Sequence, residues 1–384
     1  MLSTHRLART VGVAGLVISA GVLTQAAPAS ASEQHHGEDA PGVVFVQNDA
    51  LDGNEVAAYR RGDDGTLSRV ASYPTGGKGG RLEGAVVDVT ASQGSLTADR
   101  DHGRLYAVNA GSDTVSVFAV HGDRLRLRQV VGSGGSFPVS VAAQDDRVFV
   151  LNARAGGSLQ GFARVGGRLV EVPAWHRELN LPVTTGPTEF THTPGQVAFT
   201  ADGRHLVVTT KAATSSILVY TLRRSGALAK DPVVTTEPGT VPFGVDVDAA
   251  GHLQVAVAGA NAVHAYDVGP EGALTRLGVT ALNQAATCWI TAEGDLLAAS
   301  NAGAGTVTTL LARPDGPAAR ITDTPTSAGG TVDADFTPDG RYLYVQVGST
   351  GSVDAFAVRP DGTLVLRGSV TVPDAVGGEG IVAW

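Results

Sequence analysis

An all-β fold, a seven-bladed β-propeller of four-stranded antiparallel blades, is what this 384-residue sequence predicts. Three observations carry that reading. One unit recurs seven times, glycine (50 residues) marks the tips of its turns, and the chain ends on a strand whose only missing partner lies near its beginning. An internal repeat of about 49 residues is inside the range of four-stranded propeller blades.

Each unit reads as an inner strand, a tight turn, an apolar strand, a third strand, a glycine turn and an outer strand. The second strands are Val43–Asn48, Leu105–Asn109, Val148–Asn152, Leu206–Thr210, Leu253–Ala258, Leu296–Asn301 and Tyr342–Val347. Six inner strands precede their partners, from Ser95–Asp99 to Val332–Thr337. The first unit has none. The last five residues, Gly380–Trp384, supply it, because a strand left unpaired at the end of a chain is an aggregation hazard. Ile381 is thereby expected beside Phe45.

Turn chemistry agrees. Third-to-fourth turns carry Asp64-Gly65, His121-Gly122, Gly166-Gly167, Ser225-Gly226, Glu271-Gly272, Asp315-Gly316 and Asp361-Gly362, where glycine supplies the positive φ that tight hairpins require. These turns share one face of the disc with the first-to-second turns. The opposite face receives the remaining loops, and two of those are long: Gly76–Gly94, and Glu171–Gly195. Long loops on a rigid ring are where function is grafted.

Upstream of the repeats, residues 1–31 read as an export signal. His5, Arg6 and Arg9 precede an apolar run from Val11 to Leu23, and Ala29-Ser30-Ala31 forms a small-residue cleavage site. The run is too short for a spanning helix, so a secreted protein, extracellular or periplasmic, is expected. Residues 32–41 read as a disordered tail, and 42–384 as the propeller. Cleavage after Ala31 removes two of the 28 basic residues and none of the 37 acidic ones, leaving a net charge of −11. That balance argues against nucleic acid and anionic membrane as partners. The lone Cys288 sits in an apolar strand and reads as a buried, inert thiol. No cofactor, metal site or membrane span is expected, and the protein is expected to be a monomer.

Candidate site residues come from the two long loops and the strand ends. Glu189 and His192 form the best local pair for acid–base chemistry. Arg154 follows a strand-end asparagine and is placed to hold an anion at the rim, as is Arg81, with Glu83 beside it. Trp175 and His176 serve either as a stacking platform for a ligand or as a latch for their loop. Asn48, Asn109, Asn152 and Asn301 close four second strands and read as structural, through the asparagine's tolerance of left-handed backbone. Asp49, Asp52, Asn54 and Asp113 match no calcium-loop spacing. No nucleophile elbow, zinc-binding helix or phosphate loop occurs.

Two stretches, Phe336-Thr337-Pro338-Asp339-Gly340-Arg341-Tyr342-Leu343-Tyr344-Val345 and Val197-Ala198-Phe199-Thr200-Ala201-Asp202-Gly203-Arg204, resemble blades of the lactonase family of seven-bladed propellers, which includes 6-phosphogluconolactonase and muconate cycloisomerases. The resemblance spans the chain after residue 42 and implies its fold. Family enzymes carry a histidine, an arginine and a glutamate at three positions that fall here near Gly195, at Pro242-Phe243-Gly244 and near Gly259-Ala260-Asn261. None is matched, so no catalytic role transfers. The expectation is therefore a binding platform for a small molecule or protein on the loop face. The alternative is an enzyme that opens or isomerises a lactone, with Glu189 and His192 as its acid–base pair and Arg154 or Arg81 holding a carboxylate.

Overall fold

The computed structural model describes residues 42–384, so the expected leader and tail lie outside the described residues. Seven antiparallel sheets form, one per repeat. Blade 1 comprises Ile381–Ala383, Val43–Gln47, Glu55–Arg61 and Leu67–Pro74, in that spatial order, so the C-terminal strand closes the ring. The register differs by one residue from the expectation. Val382 lies opposite Phe45, and Ile381 opposite Val46. The sequence could name the partner strand but not the register, because all five residues of Val43–Gln47 are buried and no exposed face fixes the phase.

Blades 2 to 7 begin at the inner strands Leu96–Asp99, Pro138–Gln144, Val197–Phe199, Pro242–Val247, Thr287–Glu293 and Thr331–Phe336. The second strands are buried on both faces because each blade packs against two neighbours. Between blades 2 and 3, Tyr106, Val108, Val141, Val150 and Phe162 form one such layer. Between blades 7 and 1, Val44, Tyr59, Tyr344, Ala355 and Ile381 form another. Each fully buried side chain of this kind stabilises the fold by about 1.5–3 kcal/mol.

Two local expectations need correction. At Asp315-Gly316 the glycine has left the tip: it pairs with Arg313, so Pro314 and Asp315 make the turn. The third blade's outer edge is also longer than expected. Arg168–Glu171 and Arg177–Glu178 both pair with Ser158–Val165, and a single 3-10 turn at Pro173–Trp175 bulges out between them.

The inner strands face the central channel with their free edges, and short polar side chains satisfy those edges across blade junctions. Ser140 Oγ accepts from Val197 N at 3.2 Å, Gln196 Oε1 from Val245 N at 2.6 Å, and Asp246 Oδ2 from Ala292 N at 2.8 Å. Asp335 Oδ2 accepts from Ala383 N at 2.9 Å, which ties the closing strand to blade 7. An edge N–H that would otherwise be an orphan donor is thus satisfied sideways.

Candidate functional site

The loop between blades 1 and 2 folds across the funnel mouth and fills it. Thr90 and Ser92 are fully buried, as is Leu82. Its path is possible because glycines let backbones cross at contact distance. A Cβ on Gly79 would stand 1.9 Å from Asp49 O, and one on Gly348 1.9 Å from Val87 O. The anchors come from around the ring. Trp289 Nε1 donates to Ser92 O at 2.6 Å, and the Gln93 amide exchanges two bonds with Ile290, at 2.7 and 3.0 Å. Ser92 Oγ donates to Val139 O at 2.9 Å, and Val89 N to Gly377 O at 2.8 Å.

Lys211, one of only three lysines, sits beneath both long loops at 1% exposure. Its ammonium donates to Ala91 O of the first loop at 2.6 Å, and to Phe190 O and Thr193 Oγ1 of the second at 2.6 and 2.9 Å. Burial pulls its pKa down to about 7, against the opposing charges of Asp88 and Glu189. Around the channel, burial pushes the carboxyls of Asp49, Asp333 and Asp335 up to about 7 and Asp246 to about 6. The sequence reading singled out neither Lys211 nor the strand acids for a role. The spacing Asp333-Ala334-Asp335 on an inner strand was the available signal, since alternate residues of such a strand share a face.

Three of the residues expected from sequence come together. Arg154, Glu189 and His192 line one cavity of about 230 Å³ on the loop face, with Ala155, Leu181 and Val183 among its walls. Within it Glu189 is fully engaged. Arg154 Nε donates to its Oε1 at 2.8 Å and Nη2 to its Oε2 at 3.2 Å, while Glu83 N donates to Oε2 at 2.6 Å. Burial acts to raise this carboxyl, but the Arg154 guanidinium, the Glu83 N–H and the charge of Lys211 together hold it below the ordinary range. A carboxylate so held is a weak base. No hydrogen bond joins it to the His192 ring. His192 Nδ1 lies 3.0 Å from Thr188 O and 2.8 Å from Thr191 Oγ1. A carbonyl only accepts, so the bond to Thr188 O forms in the tautomer that carries its proton on Nδ1, and in the neutral ring that tautomer leaves Nε2 an acceptor. Arg154 also lies over the Phe137 ring, 4.3 Å from its centroid.

The side chains of the other four go elsewhere, although the Glu83 N–H and the Arg81 carbonyl meet Glu189 and Arg154. Glu83 Oε2 accepts from Gly186 N at 3.0 Å and so joins the two long loops, whereas Arg81 Nη1 donates to Ala85 O at 3.0 Å within its own loop. The exposed Arg81 also borders a separate cavity beside Asp49 and Asp374. Trp175 stacks on Phe149 at 5.9 Å and is 8% exposed, so its ring latches the loop between blades 3 and 4 and presents no free face over the funnel. His176 is held between Gln160 Oε1 at 3.1 Å and Glu178 Oε1 at 3.0 Å. The strand-end asparagines act through side-chain bonds and not through left-handed backbone, which none of them adopts. Asn109 Nδ2 donates to Ser116 Oγ at 2.8 Å and Asn301 Nδ2 to Thr308 Oγ1 at 2.9 Å, pinning second strands to third. Cys288 is buried and free, and burial pushes its thiol to about 12.

Among the described residues no group of three or more His, Cys, Asp or Glu side chains is arranged to hold a metal ion, and no helix is long and apolar enough to cross a membrane.

No family model matches the sequence, and no curated protein matches it. Solved structures do. A protein from Bacteroides uniformis, provisionally described as a 6-phosphogluconolactonase, is 18% identical and superposes with a TM-score of 0.73, over 90% of this chain and 100% of its own. A protein from Lactobacillus plantarum superposes at 0.72, with 18% identity over 90% and 99% of the two chains. The periplasmic gluconolactonase of Pseudomonas aeruginosa gives 0.71, with 18% identity over 89% and 98%. The chain therefore shares the seven-bladed architecture of lactonase-type propellers.

Proposed function

We propose that this chain is an exported propeller that binds a small carboxylate-bearing molecule on its loop face. The single observation behind this reading is the cavity shared by Arg154 and His192. It offers a guanidinium whose Nη1 has no partner among the described residues, and an imidazole Nε2 that accepts. Those two groups suit a ligand with a carboxylate at one end and a hydroxyl at the other, such as a sugar acid. Glu189 takes the positioning role: its two oxygens fix the guanidinium plane. The stoppered mouth, and the expectation that the family's three catalytic positions go unmatched in this sequence, favour binding over turnover.

Calorimetric titration with gluconate and other hydroxy acids tests this. Binding that is saturable in the wild type and lost in Arg154→Ala supports the reading. No binding across such a panel removes it.

A second reading is favoured by the same bare Nε2. With Arg154 on the substrate's carboxylate, His192 would take a proton from the water that attacks a lactone carbonyl. Glu189 is then no longer the partner of His192. Hydrolysis of a lactone that keeps a free carboxylate, such as glucarolactone, by the purified protein, abolished in His192→Ala, would establish turnover; equal rates in the variant would dismiss it. Export is tested by the N-terminal mass of the protein recovered outside the cytoplasm, expected to begin near Ser32.

A further inference from the structure

A second, chemically different cavity lies at the funnel mouth, where the crossing loop meets blades 5 and 6. It measures about 130 Å³ and is lined by Val87, Phe190, Phe243, Cys288, Trp289 and Ala302, with Asp88 the one charged side chain on its wall. The Phe243 and Trp289 rings meet at 4.9 Å with a 59° tilt, and the bond from Trp289 Nε1 to Ser92 O fixes the indole.

The polar groups nearby are already committed. Asp88 Oδ1 accepts from Thr90 N and Thr90 Oγ1, and its Oδ2 from Ser92 N, each at 2.8 Å. The three protons of Lys211 are used by the two loops, and it stands 5.4 Å from the Phe243 centroid. A neutral thiol such as that of Cys288 behaves as a small apolar group. The cavity opens to solvent at one side, its lining offers entering water few free partners, and an apolar ring that displaces such water gains by it. An enclosed apolar void of about 150 Å³ takes up benzene.

We infer that this cavity is a binding site for one small apolar ring, a molecule of benzene or toluene size. It is separate from the Arg154 cavity. The 3-10 turn Glu189–Thr191 divides the two, placing Glu189 in one wall and Phe190 in the other. The rim carries Val86, 76% exposed, so the ring enters over an apolar lip.

The test titrates the purified protein with benzene and toluene, read by saturation-transfer NMR on the ligand, with phenol as the polar control. Saturable benzene binding is expected, weakened tenfold or more for phenol. Ala302→Leu, which fills the space, is expected to abolish it. Absence of binding to the wild type, or equal binding by Ala302→Leu, overturns the inference, as does a preference for phenol. Should Ala302→Leu fail to fold by circular dichroism, Phe190→Ala decides. It enlarges the cavity, so the preference for indole over benzene must rise, and an unchanged preference overturns the assignment.

Discussion

Replacing Lys211 with methionine isolates one buried charge at the point where both long loops meet. Methionine keeps the length and suits a site beside the Phe243 ring but cannot ionise. In the unfolded wild type the lysine holds its proton up to its ordinary 10.5; in the folded protein burial makes it release the proton near 7. Between those values the unfolded chain binds more protons, so the wild type gains stability as pH rises, and the variant lacks that gain. At about 1.4 kcal/mol per pH unit the whole interval is worth about 5 kcal/mol, and the part between pH 7, where the group is half titrated, and pH 9 about 2 kcal/mol. Urea unfolding of both proteins at several pH values gives the difference directly. Other groups common to both largely cancel, except Asp88, Cys288 and Glu189, which face the ammonium. The expected result is a wild-type-minus-variant stability that climbs from pH 6 to pH 9 by a few kcal/mol. A flat difference, or one that climbs toward acid, would refute the argument that burial dominates at Lys211.

Asp49, Asp333, Asp335 and Asp246 titrate in the opposite sense. Their folded pKa values lie above the ordinary 3.8, so the stability they contribute is complete below about pH 4 and is lost as pH rises through 6 to 7. Calorimetry should therefore give a Tm several degrees higher at pH 5 than at pH 7, and Asp335→Asn should flatten that slope. Gly348→Ala sets a methyl against Val87 O; we expect about 2–3 kcal/mol of destabilisation and new proteolytic cuts within residues 76–94, seen by mass spectrometry. Val382→Asp buries a charge within the layer around Phe45 and is expected to cost more than about 3 kcal/mol, measured by urea unfolding.

The repeat was legible because each blade obeys local rules. A buried second strand, a glycine at the next turn and, in four blades, an asparagine at the strand end can all be read within a few residues. Ring closure was legible for the same reason, as one strand was short by a partner. The crossing loop was not. From Gly76 to Gly94 no period of two or 3.6 appears, and its burial depends on backbone approaches such as Gly79 to Asp49 and Gly348 to Val87, whose partners are remote in sequence. Glu189 and His192 were found as a local pair because exposed-looking charges in a long loop attract attention, and Arg154 because it follows a strand-end asparagine. Their arrangement was not, since the strongest contact runs from Glu189 to Arg154 and not to His192. The aromatic cavity was missed because Phe243 and Trp289 sit at the starts of inner strands, where they read as ordinary core.

A propeller held only by neighbour contacts could let one sector breathe while the others stand still. Here a single segment is tethered to sectors on several sides of the axis, through Ser92 to Val139, Ala91 to Lys211, Gln93 to Ile290 and Val89 to Gly377. It works as a hub does in a spoked wheel: an outward tilt of any tethered sector loads the rest. A ligand gripping that hub would therefore stiffen the whole disc.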